Sequence, residues 1–220
     1  KDWKKRRGTG GVVLGGRVFA PRVVARLQGA LLEALQTFHT DQPLALGAQR
    51  RELHRDRLAH LADRVFDDLV ESLSASNQVR LDGPLVWAAA FEVHPSDAQV
   101  ALQAELAAAI ADAGLAGTTP KGLHTAFPQP EVAALVRLLE RDGTVESIPG
   151  VGWVSAVARA DLKSRVRVWF TTHDELSPGD FKELADLTRK TAIPWLEWLD
   201  KQRYTAFGPS GRRTRGSQLD

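Results

Sequence analysis

The chain has 220 residues, 43% hydrophobic and 25% charged, which is the make-up of an ordinary globular protein and not of a disordered one. It contains no cysteine, so a disulfide framework, thiolate catalysis and Cys-based zinc sites are all excluded. The net charge of +2 is unevenly spread: +7 over residues 1–26, −3 over 27–91, −5 over 92–158 and +3 over 159–220, which suits the two ends, not the body, to a polyanion. No apolar run has the length of a membrane span, and the basic head, Lys1 to Arg7, is not followed by the apolar stretch of a signal peptide. The expectation is a soluble cytoplasmic protein with no membrane partner.

In chain order, Val12 to Phe19 predicts two short strands around Gly15-Gly16. The preceding Gly-rich run, Gly8 to Gly16, lacks the Gly-Lys-Ser/Thr of a phosphate loop and leads into a strand, not a helix, so it reads as hairpin flank. Val24, Leu27, Leu31, Leu35 and Phe38 recur at helical spacing and predict one buried stripe. Leu69, Val70 and Leu73 predict a second helix, followed by two strands that turn at Asp82-Gly83-Pro84. Val100, Leu102, Leu106 and Ile110 lie in an Ala-rich helix that Gly114 stops. Ser177-Pro178-Gly179-Asp180 supplies an N-cap, a first-turn proline and an acidic third position.

These segments repeat. Leu69, Val70, Leu73, Val79 and Trp87 recur 66 residues later as Leu135, Val136, Leu139, Val145 and Trp153, with a turn at Ile148-Pro149-Gly150. A further copy, Trp195, Leu196 and Leu199, follows 60 residues after Leu135, Val136 and Leu139. Helices closed by a hairpin every 60–66 residues give a mainly α fold with small β-hairpins: tandem winged helices, each with a small core that neighbours help to stabilise. The predicted domains are 1–20, the wing hairpin of a preceding unit; 21–92; 93–158; and 159–220. The first of these implies a fragment of a longer protein.

Catalytic chemistry is not evident. His54 and His60 stand six apart and face different ways on a helix, while His39 and His124 are isolated and suit capping or surface roles. Asp67 and Asp68 are adjacent and cannot face one another across a helix turn. No nucleophile–base arrangement is visible, so the chain is not expected to be an enzyme, and it carries no metal or cofactor motif.

The segment Leu187 to Asp200 carries the strongest signal. Ile193, Leu196 and Leu199 form a core stripe with Trp195 beside it, and Arg189-Lys190 stands at the entry, where helix-terminal N–H groups favour phosphate. With Thr191 as N-cap, Pro194 would fall at the third helical position, whose N–H has no internal partner. Gly208 to Gly211 reads as a wing tip, followed by Arg212, Arg213 and Arg215. These two clusters predict a clamp on a nucleic-acid backbone, Arg189 and Lys190 at the helix entry and Arg212, Arg213 and Arg215 at the wing, with Arg203 as a further candidate contact.

Thr188-Arg189-Lys190, then Ala192-Ile193-Pro194, Leu196-Glu197 and Leu199-Asp200, preceded by Phe181 to Leu184, resembles the C-terminal winged helix of bacterial selenocysteine-specific elongation factors. Leu35 to His39, Pro43-Leu44 with Gly47, and Arg51-Glu52-Leu53 resemble an internal winged helix of the same family. The resemblance implies an arm that grips a hairpin in a selenoprotein message during translation. GTP would belong to elongation-factor domains outside this chain, and the ribosome and selenocysteyl-tRNA would be partners of the full-length factor; the arm itself is expected to be a monomer without a cofactor. Lys182 stands where the family usually has Arg, and the resemblance adds it to the expected RNA contacts. The wing departs: family members tend to read Thr-Arg-Arg-x-Gly-Asp where this chain has Thr205-Ala206-Phe207-Gly208-Pro209, so Arg212 and Arg213 would replace the lost charge.

Two alternatives stand beside this reading. A winged-helix transcription regulator would need base-edge readers along its helix, and the candidate helix is mostly apolar past Lys190. A protein-interaction array would use Trp195 or Trp198 as exposed anchors.

Overall fold

The computed structural model describes residues 10–219. The basic head Lys1 to Arg7 and the start of the Gly-rich run lie outside the described residues. The chain divides into two compact units, Lys1–Pro95 and Ser96–Asp220.

The first unit opens with the hairpin β1 (Val12–Leu14) and β2 (Arg17–Phe19). This hairpin, assigned from sequence to a preceding unit, packs on α3 (Asp63–Ala75): Gly15 N–H donates to Asp68 at 2.7 Å, and Leu14 is buried with Val65 and Phe66. Gly15 is required there, since its φ is +56° and a Cβ would lie 2.7 Å from Val65 Cγ2. Helix α1 (Pro21–Asp41) starts on a proline and buries Val24, Leu27, Leu31 and Leu35 against α3, as their spacing predicts. After β3 (Ala48–Gln49) come α2 (Arg50–Arg57), α3, β4 (Val79–Asp82) and β5 (Leu85–Ala88), with sheet order β3-β5-β4. His39 is not a surface residue. It is 7% exposed, its ring stacks on Phe91 at 3.6 Å, and burial pushes its pKa below the ordinary value.

The second unit holds two further copies of the same order. The middle copy runs α4 (Asp97–Asp112), a 3-10 turn (Gly114–Ala116), α5 (Pro120–Ala126), α6 (Val132–Arg141), β6 (Val145–Ile148) and β7 (Gly152–Ser155). Thr118 bridges to Trp153 and takes the place that β3 has in the first copy. A capping box, Ser96 with Gln99, starts α4. Val100, Leu102, Leu106 and Ile110 all lie in this helix as expected; Leu102, Leu106 and Ile110 are buried in it, and Val100 is 51% exposed. The last copy runs α7 (Ala156–Trp169), α8 (Pro178–Ala185), α9 (Arg189–Lys201), β8 (Thr205–Phe207) and β9 (Arg213–Arg215), with Leu176 bridging to Arg213. The boundary set from sequence between 158 and 159 lies inside α7, whose N-cap Ser155 is the final residue of β7.

The repeat has a structural meaning in the helices and first strands, while of the matched pair Trp87 and Trp153 only Trp87 is buried and Trp153 is half-buried. Leu69, Val70, Leu73 and Val79, and their counterparts Leu135, Val136, Leu139 and Val145, are all buried, as are Trp195, Leu196, Leu199 and Thr205. Each of the three helices ends with a left-handed residue at the same register: Asn77, Gly143 and Arg203. In the last copy, Tyr204 N–H then reaches back to the Leu199 carbonyl at 2.9 Å, closing the helix end.

The middle and last copies share apolar packing. One cluster joins Ile148, Val151 and Val154 to Trp195, Leu196 and Trp198. Trp195 Nε1 donates to the Leu115 carbonyl at 2.8 Å, and Trp198 Nε1 donates to Glu146 at 2.9 Å. Both tryptophans are therefore buried, at 0% and 8% exposure, and do not serve as the exposed partner anchors considered above. No helix among the described residues is long and apolar enough to cross a membrane.

Candidate nucleic-acid interface

The last copy is assembled around α8, a short turn and α9. Ser177 and Asp180 close a reciprocal capping box at the start of α8. The Ser177 hydroxyl and backbone N–H hold the Asp180 carboxyl below the usual carboxylate range, with smaller contributions from Arg212 and His173. Asp186 takes a left-handed conformation and ends α8. Thr188 then caps α9, its hydroxyl accepting from Thr191 N–H.

That cap corrects the sequence expectation. Thr188, not Thr191, is the N-cap, so Arg189 and Lys190 are the first two residues of the helix itself. Pro194 consequently lies inside α9 and leaves the Lys190 carbonyl without its helical donor. Its ring sits against Gly150 in the β6–β7 turn, where a Cβ would approach Pro194 Cγ to 2.8 Å. The inward stripe is Ala192, Trp195, Leu196 and Leu199; Ile193, expected to belong to it, is 38% exposed.

The structure sorts the seven predicted contacts into three places and removes one. Lys182, Arg189 and Lys190 are exposed and surround the α8–α9 turn, where Leu187 N–H bonds the Lys182 carbonyl. Arg203 and Arg215 are exposed at the other end of α9, roughly 18 Å along its axis from Arg189. Arg212 is exposed beside the wing tip and pairs with Glu175 at 3.3 Å. Arg213 is buried, with Nε donating to both carboxylate oxygens of Asp200 at 3.0 and 3.2 Å. A guanidinium so enclosed holds α9 to the wing and is not available as a surface contact. Sequence reasoning missed Asp200 and Glu175, the two carboxylates that hold these arginines; neither lies near its partner in sequence.

The arrangement offers positive charge at the amino end of a capped helix, where free backbone N–H groups and the helix dipole also favour an anion. The rest of the exposed stripe of α9, Ile193, Glu197 and Lys201, contains no Asn or Gln to read base edges in a duplex groove.

Two family models, both described as "Elongation factor SelB, winged helix", match residues 17–86 and 169–213. The chain belongs to the winged-helix family of elongation factor SelB. The selenocysteine-specific elongation factor of Desulfomicrobium baculatum is 31% identical over 185 residues, 83% of this chain but 29% of that protein. A crystal structure of the bacterial selenocysteine-specific elongation factor EF-Sec is similar over 94% of this chain and 32% of its own, at 14% identity and a TM-score of 0.56, which shows a shared fold. The mRNA-binding domain of SelB from E. coli in complex with SECIS RNA is covered in full by 56% of this chain, at 17% identity and a TM-score of 0.47. The chain thus spans under a third of the length of the full factors it matches.

Proposed function

We propose that this chain is the arm of a selenocysteine-specific elongation factor that grips a hairpin in a selenoprotein message. The observation that carries the reading is the cluster of Lys182, Arg189 and Lys190 around the capped start of α9, in a chain of the SelB winged-helix family. An A-form stem hides its bases in a deep groove, so such a cluster holds phosphates while unpaired loop bases supply specificity. The first and middle winged helices act as spacers. GTP, the ribosome and selenocysteyl-tRNA are engaged by the whole cytoplasmic factor, and the arm, a monomer, holds no cofactor and performs no chemistry of its own.

The test is a titration of the chain with a small hairpin RNA from a selenoprotein message of the same organism, against duplex DNA of equal charge. Tight binding to the hairpin alone, with log affinity falling against log salt at a slope of roughly −4 for about five phosphates, is expected. A slope near zero overturns the clamp. Equal or better binding to the DNA leaves the fold and removes the translation role.

A further inference from the structure

The wing carries a side chain that neither the core nor the charge clamp uses. Phe207 ends β8 and is 65% exposed, a large aromatic beside a hairpin tip, Gly208 to Gly211, that is otherwise small or polar. It is not loosely placed. Phe207 stands directly opposite Arg213 in the β8–β9 ladder, and the Arg213 guanidinium carbon lies 5.1 Å from the centre of its ring. That guanidinium is itself pinned by Asp200. Behind it the turn is closed by Gly208 N–H to the Arg212 carbonyl at 2.8 Å and Gly211 N–H to the Gly208 carbonyl at 3.1 Å.

The ring is thus backed by a fixed cation, and most of the side chain is open to solvent. Two exposed arginines, Arg212 and Arg215, flank it on the same hairpin. A flat π-surface with cations beside it matches a nucleobase with its attached phosphates better than it matches an aliphatic partner.

We propose that Phe207 is a stacking platform for one unpaired base of the RNA held by the last winged helix. The proposal rests on the RNA-binding reading above and assigns to the wing a role distinct from phosphate contact. It also gives a use to the segment where the wing departs from the family's charged pattern.

The experiment uses the whole chain and a probe hairpin selected by the wild-type chain from a pool with a randomised loop. Each loop nucleotide is then replaced singly by an abasic one, and binding is followed by fluorescence anisotropy. Phe207→Ala should weaken the intact hairpin about 5- to 100-fold, the range expected for one lost base–aromatic stack. The salt slope should stay unchanged, because phenylalanine neutralises no phosphate. Phe207→Tyr should bind like wild type, whereas Phe207→Leu should fall with the alanine variant. At one abasic position, wild type and Phe207→Ala should become equal.

Three results overturn the platform. Phe207→Ala could bind as wild type while Lys190→Ala fails, which leaves RNA binding intact and the platform wrong. Phe207→Leu could match wild type, showing apolar contact and not stacking. The alanine defect could persist at every abasic position, showing no base partner. If wild type selects no hairpin and shows no salt-dependent RNA binding, the underlying reading fails, and the platform with it.

Discussion

Replacing Arg213 with alanine should unfold the second unit more easily without acting first on RNA. The substitution removes a charge-assisted hydrogen bond shared between two carboxylate oxygens, worth about 1.5–3 kcal/mol. It also removes the cation under Phe207, worth about 0.5–1 kcal/mol. The Asp200 side chain is 24% exposed, so the freed carboxylate regains some water and keeps the Thr205 hydroxyl as a donor. The loss therefore stays below the roughly 3–5 kcal/mol of a fully enclosed pair, at about 2–3 kcal/mol. For a unit spanning Ser96–Asp220 that corresponds to a fall in midpoint of roughly 6–15 °C. Thermal unfolding followed by tryptophan fluorescence reads the right part of the molecule, because Trp153, Trp169, Trp195 and Trp198 all belong to this unit. Arg189→Ala, at an exposed position, should leave the midpoint within about 0.5 kcal/mol. An unchanged midpoint for Arg213→Ala, together with weakened RNA binding, would refute the assignment of Arg213 as a brace.

Three further outcomes follow from geometry. Arg203 sits at φ 59°, a conformation that costs a side-chain-bearing residue about 1 kcal/mol, so Arg203→Gly should raise the unfolding midpoint of the second unit; a fall would show that the side chain contributes more than the strain costs. His39 is held neutral by burial, so its folded pKa lies below the unfolded value near 6.5; the stability it confers is present above that pH and is lost as pH falls through the folded value. The first unit's denaturant midpoint should accordingly drop between about pH 7 and pH 5, and His39→Gln should flatten that dependence. Gly150→Ala combines φ +80° with a Cβ 2.8 Å from Pro194 Cγ and should cost about 1–3 kcal/mol in the second unit, measured by urea unfolding.

Apolar spacing made most of the fold readable. The 66-residue repeat located α3, α6 and their hairpins because the same positions fill the same small core in each copy. What spacing could not tell was which of two adjacent residues faces inward. Ala192 and Ile193 are neighbours, and the smaller one is buried, in the cluster that holds Trp195 and Trp198, while Ile193 is 38% exposed. The cap was misplaced for a related reason: Thr188 and Thr191 are both good N-caps, and the proline argument favours the later one only if an internal proline is not tolerated. The helix does carry it internally, one backbone bond at Lys190 being lost, and Gly150 leaves room for the ring in the neighbouring turn. The candidate site was legible as a set of cations but not as an interface. Arg212 and Arg213 are indistinguishable by charge, and only the placement of Asp200 and Glu175 separates a buried tie from a surface residue. The tryptophans were ambiguous too, since a large aromatic suits a core and a binding face equally well.

The indole hydrogen bonds from Trp195 and Trp198 into the neighbouring copy limit how this protein can be cut and recombined. A gene fragment encoding residues 156–220 alone would carry every contact proposed for the message, yet it would leave the indole N–H groups of Trp195 and Trp198 without their acceptors and the rings open to water. The smallest heritable module is therefore the pair of copies from Ser96 onward, inherited or transplanted together.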